Sequence, residues 1–68
     1  MNAEEWISEF VAAAGGEAPS STEVEQILKL AAVAAHSSER MAAPVACWIA
    51  GRLGLELEQA RKMAETIN

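Results

Sequence analysis

The sequence is poor in cysteine, aromatic residues and basic residues. Its 68 residues include one cysteine, two tryptophans, one phenylalanine and no tyrosine. The single Cys47 excludes an internal disulfide, and a lone cysteine is typical of a protein from a reducing cytosol. Because a chain this short buries only about 60% of the surface that its unfolded form exposes, we expect marginal stability unless a partner chain or a metal contributes.

Basic residues are outnumbered two to one, which limits the possible partners. The chain has five Lys and Arg residues and ten acidic residues, and its formal net charge is -5. The basic residues are spread over different predicted elements: Lys29, Arg40, Arg52, Arg61 and Lys62. Nucleic acids and anionic membranes both require clustered basic side chains. We therefore expect neither of them as a partner.

Long apolar runs are also lacking. The opening stretch MNAEEWISEF has acids where a secretory signal needs basic and then apolar residues, and no later segment reaches membrane-spanning length. With 51% hydrophobic residues, the chain is nevertheless too apolar to be disordered. We expect a soluble, cytoplasmic protein that folds as one domain over residues 1–68.

Apolar residues recur at helical spacing in four segments and never alternate as in a strand, which predicts an all-α protein. The first helix is predicted over about 3–14, with Asn2 and Glu5 at capping-box spacing and Gly15 able to end it. The second is capped by Ser21 or Thr22 and runs to about His36. Its apolar stripe is Val24, Ile27, Leu28, Ala31 and Ala35.

The third and fourth helices complete a compact bundle of four short helices. The third carries Val45, Trp48, Ile49 and Leu53 on one face and stops at Gly54, and the fourth carries Leu57, Ala60, Met63, Ala64 and Ile67. Because alanine fills many facing positions, we expect Trp6, Phe10 and Trp48 to supply much of the core volume.

Most acidic residues have a structural interpretation as first-turn charges, which the helix dipole favours. They are Glu4, Glu5, Glu23, Glu25, Glu56 and Glu58. Two spacings also predict pairs on one helix face, Glu25 with Lys29 and Glu58 with Lys62.

The stretch AAHSSERMAAP, residues 34–44, holds the only histidine beside polar and charged neighbours. Pro44 lacks a backbone donor, which predicts a helix break before it. Ser37 or Ser38 would cap the next helix, with Pro44 in or just after its first turn, and His36 would close the second helix.

The same stretch has functional interpretations. His36 and Glu39, three apart, would share a helical face, but a transition metal needs three or four ligands, from a second chain or from Cys47. Ser37 or Ser38 beside His36 lacks a third catalytic group, and so small a chain offers little volume for a pocket of several hundred Å³. We expect no bound metal or cofactor, no enzyme activity, and a buried, inert Cys47.

Residues 33–51, VAAHSSERMAAPVACWIAG, resemble the central signature of a small actinobacterial domain of unknown function. The leading MNAEEWISEF and the closing helix also fit that family. The pattern that the resemblance transfers comprises His36, Glu39, Arg40, Ala43 and Pro44. Members occur alone or C-terminal to proteins resembling molybdenum-cofactor guanylyltransferases of the MobA type, which implies an accessory role.

These observations predict a noncatalytic helical interaction module, and the resemblance implies an association with such a guanylyltransferase and so with molybdenum cofactor biosynthesis. Its partner would be that enzyme or a second copy in a homodimer. The candidate structural or interaction cluster is His36, Glu39, Arg40, Pro44 and Trp48. The alternative is a small metal- or ligand-binding protein with a site at His36 and Glu39, across a dimer interface.

Two other classes fit the residues poorly. An acyl carrier protein needs a serine in an acidic setting, whereas Ser37 and Ser38 stand between His36 and Glu39-Arg40. A helix-turn-helix regulator needs basic and amide side chains on its recognition helix, whereas residues 44–51 read PVACWIAG.

Overall fold

All regular secondary structure in the described part of the chain is helical, as the periodicity predicts. The structure is a computed structural model that describes residues 1–67, and this range contains no β-strand. The four helices are α1 (Ala3–Ala14), α2 (Ser21–Ser37), α3 (Ala42–Leu53) and α4 (Leu57–Glu65).

The start and end of α1 lie where the sequence places them. The Asn2 side chain accepts from the Glu5 backbone at 2.8 Å, and the Glu5 carboxylate accepts from the Asn2 backbone at 3.1 Å. Gly15 ends the helix in the left-handed conformation, at φ 83°, and donates to the Val11 carbonyl. The predicted capping box and glycine stop are both confirmed.

The predicted cap of α2 is wrong by one or two residues. The cap is Ser20, whose hydroxyl accepts from the Glu23 backbone at 3.1 Å, and the Glu23 carboxylate accepts in return from the Ser20 backbone at 2.8 Å. Ser21 and Thr22 lie inside the first turn. Thr22 also has a glutamate three residues later, Glu25, but the capping box that forms joins Ser20 and Glu23.

A break does separate α2 from α3, but the predicted serine caps are wrong. Ser37 is the last residue of α2, and the Ser38 hydroxyl donates back to the Ala34 carbonyl at 2.8 Å. Met41 precedes α3 without a side-chain cap, and Pro44 is the third residue of α3. Pro44 therefore lies in a first turn, where its missing N–H has no helical partner to lose.

The last connection is tight. Gly54 takes the left-handed conformation, at φ 66°, and Leu55 donates to the Ala50 carbonyl at 2.9 Å. The Glu56 side chain caps α4 by accepting from the Gln59 backbone at 2.9 Å. Ile67, predicted on the α4 stripe, lies beyond the end of that helix and is exposed.

The predicted pairing of Glu58 is wrong. Glu58 pairs with Arg61 at 3.3 Å rather than with Lys62, because Arg61 also reaches Glu65 at 2.9 Å and so lies between two carboxylates. Among residues 1–67 these are the ion pairs within 4 Å, so Glu25 and Lys29 share a face without closing a pair.

The core lies where α3 and α4 pack against α2. Each of the three helices contributes one buried residue, Leu30, Ala50 and Ala60, and Cys47, Leu55 and Ala64 pack around them. Alanine at two of the three central positions lets the helix backbones approach closely. The resulting core is narrow, because small side chains leave no space for larger ones between the helices.

The predicted aromatic core is therefore wrong. Trp6, Phe10 and Trp48 are 56%, 60% and 66% exposed, and α1 contains no buried residue. Ile7 and Val11, on another side of α1, are half-buried instead. The outward position of Trp48 has a direct cause, because α3 turns Cys47 and Ala50 toward α2 and a residue one position from Cys47 must then face away.

Candidate interaction surface

One side of α3 is an exposed apolar surface with a cation in it. Val45, Trp48, Ile49 and Leu53 share that side, as the helical spacing predicts, but all four are exposed. Arg52 is also exposed and lies four residues after Trp48 and three after Ile49, so it belongs to the same side. We call these five residues the α3 face. Apolar periodicity alone does not reveal Arg52 as part of this surface, because its side chain is charged.

A second exposed apolar surface lies on α1. The rings of Trp6 and Phe10, four residues apart, stack with centroids 5.1 Å apart and planes inclined by 21°. Together with Met1 and Glu9 they line a shallow depression of about 310 Å³, which we call the aromatic groove. The groove thus combines two aromatic rings with one carboxylate.

A larger groove lies between α1 and the start of α2. Its volume is about 750 Å³, and its lining includes Ile7, Val24 and the carboxylate residues Glu4, Glu9 and Glu25. The expectation that so small a chain lacks a pocket of several hundred Å³ is therefore wrong. Its lining comes from α1, the loop that follows and the first turns of α2, and α1 contributes no buried residue to the core.

The histidine stretch forms a connection and not a cluster on one helix. His36 lies in the last turn of α2, whereas Glu39 and Arg40 lie in the link to α3, and all three are exposed. The carbonyls of Glu39 and Arg40 accept from the backbone of Ala42 and Ala43 at 3.0 and 3.1 Å. These two residues thus shape the start of α3 through their main chain.

The expected common face of His36 and Glu39 is wrong, because α2 ends at Ser37. Within residues 1–67, no group of three or more His, Cys, Asp or Glu side chains is placed to hold a metal ion. The Ser38 hydroxyl is directed at the Ala34 carbonyl and not at an imidazole. The alternative of a metal or ligand site completed by a second chain stays a prediction.

Cys47 lies at the edge of the core. Its side chain is half-buried, rather than buried as expected, and its Sγ donates to the Ile27 carbonyl at 3.8 Å. Burial raises the pKa of the Cys47 thiol above its ordinary value of 9.0. A thiol that is protonated at neutral pH is a poor nucleophile, which agrees with the inert thiol expected from the sequence.

Fold and surface together define a small all-α domain that carries its largest apolar side chains on the outside. The chain belongs to the family described as a domain of unknown function (DUF6457), which matches residues 1–68. That coarser part of the resemblance is confirmed. Neither the curated proteins nor the solved structures contain a match. In the described part of the chain, no helix is both long enough and apolar enough to cross a membrane.

Proposed function

We propose that this domain is a noncatalytic protein-interaction module that binds through the α3 face and the aromatic groove. The observation that supports the proposal is the exposure of both tryptophans and the only phenylalanine, at more than half of each residue's surface. Tryptophan is among the residues that contribute most to protein–protein binding when a partner buries it.

The arrangement of these side chains favours a binding surface over scattered apolar residues without a function. Scattered single apolar residues are normal on soluble proteins, but contiguous apolar surface bordered by charge is typical of interfaces. On α3 the apolar side chains follow one another at helical spacing around Arg52, and on α1 the two rings stack beside Glu9. Each surface therefore has an apolar centre and a charge, as interfaces do.

The resemblance noted in the sequence suggests one heterologous partner, a guanylyltransferase of the MobA type. Under this proposal the domain serves molybdenum-cofactor nucleotide transfer by docking on that enzyme. Support for the partner comes only from the family layout in which the two occur in one chain. The exposed surfaces would be available for docking whether the domain is a separate protein or is part of one chain with the enzyme.

A binding measurement with matched variants tests the proposal. We expect the purified domain to bind a MobA-type guanylyltransferase in titration calorimetry, and Trp48→Ala to weaken the binding by at least about tenfold, because it removes the largest ring of the α3 face. Met63→Ala, which removes an exposed apolar side chain from α4, serves as the control and should bind like the unaltered domain.

Far-UV circular dichroism of both variants separates lost binding from lost folding. Equal affinity of Trp48→Ala and the unaltered domain would contradict the proposed surface. Absence of any binding to the enzyme would contradict the proposed heterologous partner.

A further inference from the structure

The chain exposes more surface than a folded protein of its mass should. Its accessible area is 5377 Å² for 7.2 kDa. Folded monomers of that mass expose about 4,100 Å², so the surplus is about 1,300 Å². A contact of standard size removes about 800 Å² from each partner. The surplus is therefore large enough for a stable interface on each chain.

Charge is divided between the two exposed apolar surfaces. Residues 1–28, which include α1, contain six glutamates and no lysine or arginine. Residues 40–55, which include α3, contain Arg40 and Arg52 and no acidic residue. The aromatic groove thus contains one carboxylate, that of Glu9, and the α3 face contains one guanidinium, that of Arg52. Each has the charge that the other lacks, although the whole chain is acidic.

The two surfaces also match in size and chemistry. Both α1 and α3 have 12 residues, or about 18 Å of helix. An arginine guanidinium binds well over an aromatic face beside a carboxylate, and the aromatic groove offers Trp6, Phe10 and Glu9 around about 310 Å³. Arg52 lies on the α3 face next to Trp48, which can cover the remaining apolar surface.

Within one chain these surfaces do not meet. The helices that pack together are α2 with α3 and α2 with α4, whereas α1 and the start of α2 line a common groove in which Ile7 is half-buried. The Trp6 and Phe10 rings are exposed in this arrangement of the four helices. The complement of each surface must therefore come from another molecule.

We infer that the occupant is a second copy of this chain, arranged so that α1 of each copy covers the α3 face of the other. Under twofold symmetry the contact between α1 and the α3 face occurs twice, which gives a closed dimer. Neither of these two surfaces then remains free to extend a filament. Arg52 of one copy enters the aromatic groove of the other and pairs with Glu9. The inference rests on the proposed function, since it uses the same surfaces, and a second copy would therefore compete with the guanylyltransferase for them.

A charge exchange tests this arrangement in solution. We expect the unaltered protein to be dimeric by sedimentation equilibrium over a dilution series. Arg52→Glu and Glu9→Arg should each raise the dimer dissociation constant by at least about tenfold, because each places two like charges together. The double variant, which restores an opposite pair, should return the constant to within about threefold of the original.

The controls exploit other exposed charges. Lys29→Glu changes the net charge as Arg52→Glu does but lies on α2, and Glu17→Arg matches Glu9→Arg from the loop between α1 and α2. Both should leave the dissociation constant unchanged. Circular dichroism should show all variants folded, since none of the altered side chains is buried.

The possible outcomes separate the two proposals. A dimer whose dissociation constant neither single variant changes, or one that the double variant fails to restore, overturns the exchange of α1 and α3. A protein that is monomeric at every concentration but binds the guanylyltransferase through Trp48 refutes the second copy and leaves the proposed function intact. A monomer that shows no such binding refutes both.

Discussion

Leu30 and Leu28 lie two residues apart on α2 in opposite environments, with 3% and 62% of their surfaces exposed. We expect Leu30→Ala to lower the free energy of unfolding by about 2 to 5 kcal/mol, because it empties the centre of the core. Leu28→Ala should change it by less than about 0.5 kcal/mol. Urea denaturation measures both, and comparable losses would contradict the position of the core.

At the level of single residues, side-chain size is a poor guide to burial in this chain. The sequence suggests that its three aromatic residues fill the core, yet Ala50 and Ala60 are buried and Trp48 is exposed. The cause is geometric, since helices that meet through alanine come too close to admit a ring. Periodicity identifies an apolar stripe, but it does not tell which of two stripes on one helix faces the core.

At the level of helices, two glycines provide a matched comparison. Gly54 ends α3 at φ 66°, while Gly51 lies inside α3, and a Cβ added at either position meets nothing within 4 Å. Gly54→Ala should therefore cost about 1 to 2 kcal/mol of stability through backbone strain alone. Gly51→Ala should stabilise the protein by about 0.5 to 1 kcal/mol, because alanine favours a helix interior.

Thermal unfolding of the two variants, monitored by circular dichroism, checks the opposite signs. A Gly51→Ala variant that is less stable than the unaltered protein would contradict the open space next to Gly51, because the added methyl group would then have to clash with a neighbouring group. Stability unchanged in Gly54→Ala would contradict the left-handed stop of α3.

The ends of helices are the features that the sequence predicts best. Asn2, Gly15 and Gly54 act as expected because capping and left-handed stops depend on neighbours in the chain. The sequence leaves the start of α2 open, because Ser20, Ser21 and Thr22 are all good caps and both Ser20 and Thr22 have a glutamate three residues later. The sequence does not predict the bond of the Ser38 hydroxyl. A serine here can donate to the Ala34 carbonyl of α2 or cap the start of α3, and both bonds depend only on nearby residues.

At the level of the whole molecule, the core belongs to three of the four helices. A chain that begins at Ala18 keeps Ser20, Leu30, Ala50 and Ala60 and loses no buried residue. We expect it to stay helical and to unfold cooperatively, since α3 and α4 pack on α2 without α1. Circular dichroism and thermal unfolding of this shortened chain provide the measurement. A loss of cooperative unfolding would show that α1 is part of the folding unit.

The sequence does not predict which of the candidate residues lie close together in the folded molecule. The stretch around His36 stands out by composition, but α2 ends before Glu39, and the two lie on different elements. The apolar residues of the α3 face follow a helical spacing in the sequence, whereas Trp6 and Phe10 are expected in the core from the sequence and are exposed. The exposure of these side chains depends on which sides of α1 and α3 the fold turns outward, and that is decided by packing between segments distant in the sequence.

Both tryptophans of the molecule stand in solvent, and this gives the protein a spectroscopic reporter. An indole in water emits at longer wavelength than one in an apolar contact, and Trp6 and Trp48 lie one on each of the two exposed surfaces. Any partner that covers either surface will shift the emission to shorter wavelength without a label. Replacing one tryptophan at a time then tells which surface the partner has occupied.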